Sequence, residues 1–427
     1  MTASRKKILI ASLGTRGDVQ PYVALAKELV TFGAEVVIAT GEGFDDMISA
    51  AGARSRPVPV DYRVLLQRED IQAALFTLKG KIVSARKNLD LQKKIAHQLW
   101  RLALEEKPDL ILFNLKTTVT TLAARRLDVP ALPTVLQPVT ATTGDFPWPL
   151  LGLPDLGRAF NRTSFRAGRL LMTAGLGPLF KTVKAEAAAE SDLPGNLIDG
   201  HMPNGSAPMS LQVFSRALVP TPADWEPQNW ACGYWFTAPD PQYRPPEALA
   251  AFLANGPAPL YLGFGSMPSR NPKELTETIF AALRETGQRA ILATGWGGLH
   301  QGSMPEDLAD RVHLLDKAPH SWLFQRCAAV VHHGGAGTTH EALRWGKPSL
   351  ACPVFGDQPF WGARVHRIGA GPVPVRQGAL TPASLTRALK TLEDPVYRVG
   401  AKRAADIIAG EPGARGTSER LIGLLTD

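Results

Sequence analysis

The densest concentration of chemistry-bearing residues is the run Val330-Val-His-His-Gly-Gly-Ala-Gly-Thr-Thr-His-Glu-Ala-Leu343. An apolar strand ends in His332 and His333, glycines strip side chains from the turn that follows, and Thr338 and Thr339 open a helix. Free amides and the positive end of a helix dipole make such a turn an anion site, and hydroxyls add donors. His333 can then donate to a phosphate oxygen. The same residues also read as a plain glycine-rich strand-to-helix turn with a capping threonine. A second turn of this kind, Gly14-Thr15-Arg16-Gly17, follows an apolar run and leads through Asp18 into an amphipathic segment. A carboxylate there can serve as a general base or as a helix cap, and on the residues alone the two readings weigh equally.

Other chemistries fit less well. His332, His333 and His340 suggest a metal, but adjacent strand residues point to opposite faces, so three imidazoles do not easily converge. The chain has no Asp-x-Asp pair, and its first glycine turn is not a Gly-x-Gly-x-x-Gly dinucleotide turn. Forty-seven Lys and Arg against 39 acids give a net charge of +8, which favours anionic partners such as a nucleotide diphosphate or an anionic lipid surface. Nucleic acid is not expected, because the basic residues are spread along the chain without an aromatic-rich or zinc-finger motif. Three widely spaced cysteines, Cys232, Cys327 and Cys352, fit reduced thiols in the cytoplasm better than a disulfide framework.

At 427 residues the chain exceeds the usual size of one core, so two domains are expected. With 44% hydrophobic and 20% charged residues it has a globular composition, and no stretch is apolar enough to span a bilayer. Met1 to Leu13 faintly mimics a signal peptide, but the apolar run is short and reads as a first strand. Strands are predicted at Lys7 to Leu13, Glu35 to Thr40, Asp109 to Phe113 and Pro130 to Leu136, with helical segments between, as in a doubly wound parallel sheet. Phe160 to Glu190 reads as helical, either packing normally, forming a lid or touching a membrane. Prolines concentrate from Val219 to Pro227 and from Ala238 to Pro246, a composition suited to a stiff connector. Beyond it the alternation restarts at Pro259 to Gly263, Arg289 to Thr294, Val312 to Leu315, Ala328 to His332 and Ser349 to Pro353. The expected organisation is an α/β chain with a Rossmann-like domain at 1–218, a linker at 219–246 and a second Rossmann-like domain at 247–427, whose last helix can pack back on the first.

The turn at His332 to Glu341 continues into Gly356-Asp-Gln-Pro-Phe-Trp-Gly362. Together these resemble the donor-binding signature of the family 1 UDP-glycosyltransferases, particularly the branch of sterol and other lipid glucosyltransferases. Gly14 to Pro21, Gly263 to Met267, Ala223-Asp-Trp225 with Gly233 to Phe236, and Thr294 to Gly298 extend the resemblance over most of the chain. It implies the GT-B fold, two Rossmann-like domains whose parallel sheets face an interdomain cleft. It also implies an inverting transfer of a hexose, glucose by preference, from a UDP-sugar to a hydroxyl of a sterol, terpenoid, polyphenol or macrocyclic aglycone. The UDP-sugar is a co-substrate, and no cofactor or metal is required. A cytoplasmic enzyme with peripheral membrane contact is expected.

Carried over by position, the resemblance makes His333, Gly335, Gly337, Thr338 and Thr339 the diphosphate cradle, with Ser266 assisting. Glu341 would accept from the ribose hydroxyls and so favour UDP over dTDP, although many sterol-type members have a small residue there. Asp357 and Gln358 would hold the donor sugar, a task suited to a carboxylate and an amide facing a vicinal diol; Asp357 can also be an exposed turn residue. The aromatic that stacks on the base in plant members is replaced by Lys317, leaving Trp296 or the backbone around His320 for uracil, with Trp322 assigned to the core. Asp18 stands where plant members carry a catalytic His and lipid-type members an Asp, which shifts the balance towards base. The second carboxylate of the plant dyad is matched by Asn114. Gly14, Thr15, Gly17 and Arg16 support that turn, Arg16 either orienting Asp18 or solvating the loop. The apolar segments from Gly144 to Phe180 would shape the acceptor pocket. Rival readings are a catalytically silent GT-B nucleotide-binding module, a GT-B sugar epimerase and a glycolipid-forming transferase.

Overall fold

The computed structural model describes residues 5–68, 70–71, 87–187, 198–265, 271–294 and 304–426. The chain divides into two compact units: Met1–Phe214 with Thr221–Thr237 and Pro412–Asp427, and Ser215–Pro220 with Ala238–Glu411.

The first unit is built on seven strands, β1 (Lys7–Ala11), β2 (Glu35–Thr40), β3 (Arg54–Pro57), β4 (Leu110–Phe113), β5 (Ala131–Val135), β6 (Ser210–Gln212) and β7 (Asn229–Ala231). They lie in the order β3-β2-β1-β4-β5-β6-β7, and every pairing is parallel. Strands covered on both faces read as continuous apolar runs, which is why β1 carries Ile8 and Ile10 into one core and Leu9 and Ala11 into the other. The second unit repeats the plan with β8 (Leu260–Gly263), β9 (Ala290–Ala293), β10 (Val312–Leu315), β11 (Ala329–His332) and β12 (Ser349–Ala351), in the order β10-β9-β8-β11-β12, again all parallel.

The two sheets share one consequence. Strand order reverses between β1 and β4 in the first unit and between β8 and β11 in the second, and in open parallel sheets ligands bind outside the carboxyl ends of the strands at such a reversal. Both glycine turns singled out in the sequence leave the sheet there.

One sequence boundary needs correction. Residues 221–237, read as part of a linker, belong to the first unit, because Asn229–Ala231 pairs with β6 as the last strand. Residues 412–427 also belong to that unit, in line with the expectation that the last helix packs back on the first domain. Their helix, Gly413–Thr426, is fastened by Gly413 N–H donating to the Cys232 carbonyl at 2.8 Å and by Trp235 Nε1 donating to Thr417 Oγ1 at 3.1 Å.

Four of the five aromatic residues of the segment expected to shape an acceptor pocket are spent on core, Phe160 being partly buried. Phe146, Trp148, Phe165 and Phe180 are all buried, Phe146 and Phe165 pack with ring centres 5.9 Å apart, and Trp148 lies on Gly168, where a Cβ would meet the indole at 2.3 Å. The helix Arg158–Ala187 buries Phe165, Phe180 and Val183, while Leu170 and Leu171 stand 71% and 58% exposed. A cavity of about 330 Å³ in this unit is lined by polar groups such as Thr140, Arg169, Asp199 and Ser210, an unsuitable lining for a lipophilic acceptor.

Candidate active site

In the second unit, β11 delivers His332 into the sheet and His333 into the turn. His332 is fully buried, and its Nδ1 accepts from Gly334 N–H at 3.0 Å, which curls the chain into the turn. Gly334 holds φ +85°, and a Cβ there would press on the Gln358 carbonyl at 2.9 Å, so the turn and the Gly356–Gly362 motif are packed together. The His333 ring fits between two more glycines. A Cβ on Gly335 would sit 2.4 Å from its Nε2, and one on Gly265 would sit 3.1 Å from its Cε1. His333 Nδ1 has no hydrogen-bond partner among the described residues. Burial pushes the imidazole down to about 4, although its edge stays partly accessible, so at neutral pH the ring is uncharged with one N–H to donate.

The helix Ala336–Arg344 starts at Gly335, without a side-chain cap or an acid in its first turn. Its first amides therefore have no intrahelical acceptor, and its positive end is open to an anion. Thr339 departs from its expected role in the cradle: it is fully buried and donates to the Gly335 carbonyl at 2.9 Å. Thr338 is partly accessible, as are Gly335 and Gly337. His340 is structural. Its Nδ1 bonds the Ala336 carbonyl at 2.7 Å and its Nε2 accepts from Ser215 N–H at 3.1 Å. Among the described residues no group of three histidines, cysteines and acids is arranged to hold a metal.

Glu341 lies one turn into the same helix. Its Oε1 accepts from Trp345 Nε1 at 2.7 Å and sits 3.5 Å from Arg344, a fixed orientation that leaves Oε2 unbonded among the described residues. Burial pushes this carboxyl upward, against the pull of Arg344. Asp357 is likewise oriented, its Oδ2 accepting from Trp361 Nε1 at 2.8 Å. Gln358 is buried, and its Oε1 accepts from Val354 and Phe355 N–H at 2.7 and 3.2 Å. The carbonyl end therefore holds the loop, and the amide NH₂ is the end left for a ligand. His320 stacks on Phe324 at 4.5 Å and bonds the Tyr261 hydroxyl at 3.1 Å, so its ring is a packing group and only its backbone stays available for a base. Trp322 is partly buried against Tyr243 and Arg326. Ser266 and Trp296 lie outside the described residues.

In the first unit, β1 ends at the Gly14 turn and the helix Arg16–Thr31 begins. Asp18 both caps and projects. Its Oδ2 accepts from Thr15 N–H at 2.8 Å and from Thr15 Oγ1 at 3.2 Å, as a capping carboxylate does. Gly14 has φ +146°, and a Cβ there would fall 2.1 Å from that oxygen. Gly17 is exposed and adds no side chain near the carboxylate. Arg16 bonds Gln20 at 3.0 Å instead of Asp18. Asn114 is buried and donates to the Leu13 carbonyl at 3.0 Å and to Ser12 Oγ at 3.1 Å. It ties the loop after β4 to the loop after β1. The residue that does reach Asp18 is Lys116, 3.1 Å from Oδ1, a contact between positions 98 apart that only the β1–β4 pairing reveals.

Two Rossmann-like units with parallel sheets are the plan of the GT-B fold, and the comparisons place the chain among glycosyltransferases. Residues 8–130 match the glycosyltransferase family 28 N-terminal domain, and residues 298–424 match the erythromycin biosynthesis protein CIII-like C-terminal domain. The chain is 34% identical over 422 residues, 96% of its length, to a sterol 3-beta-glucosyltransferase of Arabidopsis thaliana, and spans 64% of that protein. It is 31% identical to the O-mycaminosyltylonolide 6-deoxyallosyltransferase of Streptomyces fradiae, over 95% of this chain and 94% of that one. Among solved structures, the calicheamicin glycosyltransferase superimposes with a TM-score of 0.68 at 19% identity, covering 99% of both chains. The glycosyltransferase SnogD of Streptomyces nogalater gives 0.67 at 20% identity, covering 99% of this chain and 100% of that one; these two show the fold. The chain belongs to the family 1 glycosyltransferases of the GT-B fold.

Proposed function

We propose that the chain transfers a hexose, glucose by preference, from a UDP-sugar to a hydroxyl of a small lipophilic acceptor, with inversion and without a metal or cofactor. Asp18 takes the proton as the acceptor oxygen attacks the anomeric carbon. The bond to the β-phosphate breaks, and UDP leaves with the electron pair. The first-turn amides of the helix Ala336–Arg344, Thr338 and the His333 imidazole receive the developing charge, Glu341 accepts from the ribose, and Asp357 with the amide end of Gln358 holds the sugar. One observation carries the reading: a neutral His333 imidazole, its Nδ1 without a partner among the described residues, held between Gly265 and Gly335 at an uncapped helix start, an arrangement suited to a phosphate oxygen. The name of the Arabidopsis relative supports a sterol-like acceptor and that of the Streptomyces relative a macrocyclic one.

The test is Asp18→Asn, assayed for UDP release and glycoside formation beside UDP titration. Transfer should fall at least 1,000-fold, a loss of about 4 kcal/mol in transition-state stabilisation, with UDP affinity within about threefold. Full activity would remove Asp18 as the base. A silent nucleotide-binding module would bind UDP without turnover, and an epimerase would act without acceptor. The exposed Leu170 and Leu171, one to two turns beyond Arg162 and Arg166, favour peripheral contact of a cytoplasmic enzyme with an anionic membrane surface, and among the described residues no helix is long and apolar enough to cross a membrane.

A further inference from the structure

The sequence offers Asn114 where a second carboxylate would complete a dyad, and that carboxylate is missing. The geometry points to a different device: we propose that Lys116 is the positioning residue of the Asp18 base, fixing its carboxylate from the side opposite Thr15 so that one lone pair of Oδ1 faces the acceptor hydroxyl. The inference rests on the reading of Asp18 as the base.

A carboxylate has about four lone-pair sites on its two oxygens. Thr15 N–H and Thr15 Oγ1 fill those of Oδ2, and Lys116 Nζ takes one on Oδ1 at 3.1 Å. Among the described residues no other group bonds Oδ1, so one site remains, on a carboxylate whose side chain is 24% exposed. Lys116 is itself aimed by Asn114. Asn114 Oδ1 accepts from Lys116 N–H at 3.0 Å, while Asn114 Nδ2 grips Leu13 and Ser12 in the neighbouring loop. The buried amide sets the distance between the two loops, and the ammonium spans it, 5.7 Å from the centre of the Tyr62 ring.

In the reaction the proton passes from the acceptor oxygen to Asp18 Oδ1, the new C–O bond forms, and the departing UDP keeps the electron pair. Lys116 keeps its own protons. The benefit it brings is geometric: it prevents the carboxylate from swinging about its Cα–Cβ bond. Displacements of about 1 Å in a reacting group lower rates by up to about 100-fold.

Lys116→Met and Lys116→Arg should therefore be compared for kcat, for KM with UDP-glucose and with a sterol acceptor, and for UDP affinity. The side chain is 48% exposed, so both variants should fold, with circular dichroism and UDP titration as controls. Lys116→Met is expected to lose roughly 10- to 100-fold in kcat with both KM values within about threefold, and Lys116→Arg to recover most of it. An unchanged kcat in Lys116→Met, or a loss that appears in the acceptor KM and is not rescued by Arg, overturns the proposal. Asp18→Asn separates the two ideas: if it stays active, the base assignment itself is wrong, whereas an inactive Asp18→Asn beside a fully active Lys116→Met removes only the role of Lys116.

Discussion

Gly14→Ala tests the Asp18 turn without touching a titrating group. At φ +146° an alanine is strained, by about 1–3 kcal/mol for such backbone conformations. Its Cβ would also lie 2.1 Å from Asp18 Oδ2 and 2.6 Å from Asp18 Cβ. The second distance decides the outcome. Rotating the carboxylate away relieves the first clash but not the second, so the helix start must shift as well. Moving Asp18 forfeits its bonds to Thr15 and Lys116, of which a hydrogen bond to a charged group contributes about 1.5–3 kcal/mol and the part-exposed ion pair less. A total destabilisation of about 3–5 kcal/mol is expected, equivalent to a fall of roughly 6–20 °C in the melting temperature of a unit this size. Catalysis should fall by up to about 100-fold in protein that remains folded at 20 °C. UDP affinity should stay within about threefold, because the proposed diphosphate residues all belong to the other unit. Thermal melts, UDP titration and a glycoside assay read the three quantities. A Gly14→Ala protein with unchanged melting temperature and turnover would refute the account of this turn.

Two further outcomes follow from the second unit. Burial lowers the buried His340 from 6.5 to about 4, so the unfolded state binds the extra proton and folding stability is lost as pH falls from about 6.5 towards 4, by up to about 3 kcal/mol for this residue; urea melts at pH 7.5 and 5 should differ less in His340→Gln than in the parent, and equal differences would contradict the assignment. Glu341→Ala should shrink the preference for UDP over dTDP in competition titrations by roughly tenfold, about 1.4 kcal/mol, the scale of one lost hydrogen bond to a charged acceptor, and an unchanged ratio would remove Glu341 from the ribose.

Apolar parallel strands were the most legible features of the sequence. Glu35 to Thr40 coincides with β2, since a strand buried on both faces leaves little else for its residues to be, and Val312 to Leu315 coincides with β10, an edge strand that keeps the apolar run although half-buried. The partly exposed β3, with sequence Arg-Ser-Arg-Pro, and the three-residue β7, set among prolines, carry no such pattern and were missed. Candidate site residues divide the same way. His333 and Asp18 stand out as candidates because glycines and a helix start surround them. The diversion of the Thr339 hydroxyl into its own helix and of the Gln358 carbonyl into the loop Val354–Phe355 depends on side-chain direction, which residue type alone does not encode. Lys116 was invisible as a partner because its neighbour is chosen by strand order, and strand order is set by packing of the whole sheet.

The same turn, placed at the same reversal of two similar sheets, acquires opposite electrostatic character from a single position. In the first unit the helix start carries Asp18 in its first turn, and this carboxylate accepts the Thr15 amide proton and opposes the positive end of the dipole, equivalent to roughly half a charge. A phosphate approaching there would meet an anion and a donor already engaged. In the second unit the corresponding helix has no acid in its first turn and no side-chain cap, and the histidine before it is uncharged, so the amides face outward unopposed. The first turn is therefore suited to accepting a proton and the second to accepting a diphosphate. Placing an aspartate at Thr338 would make the second turn resemble the first, and the repulsion it introduces should weaken UDP binding in a titration, an unchanged affinity counting against the diphosphate reading.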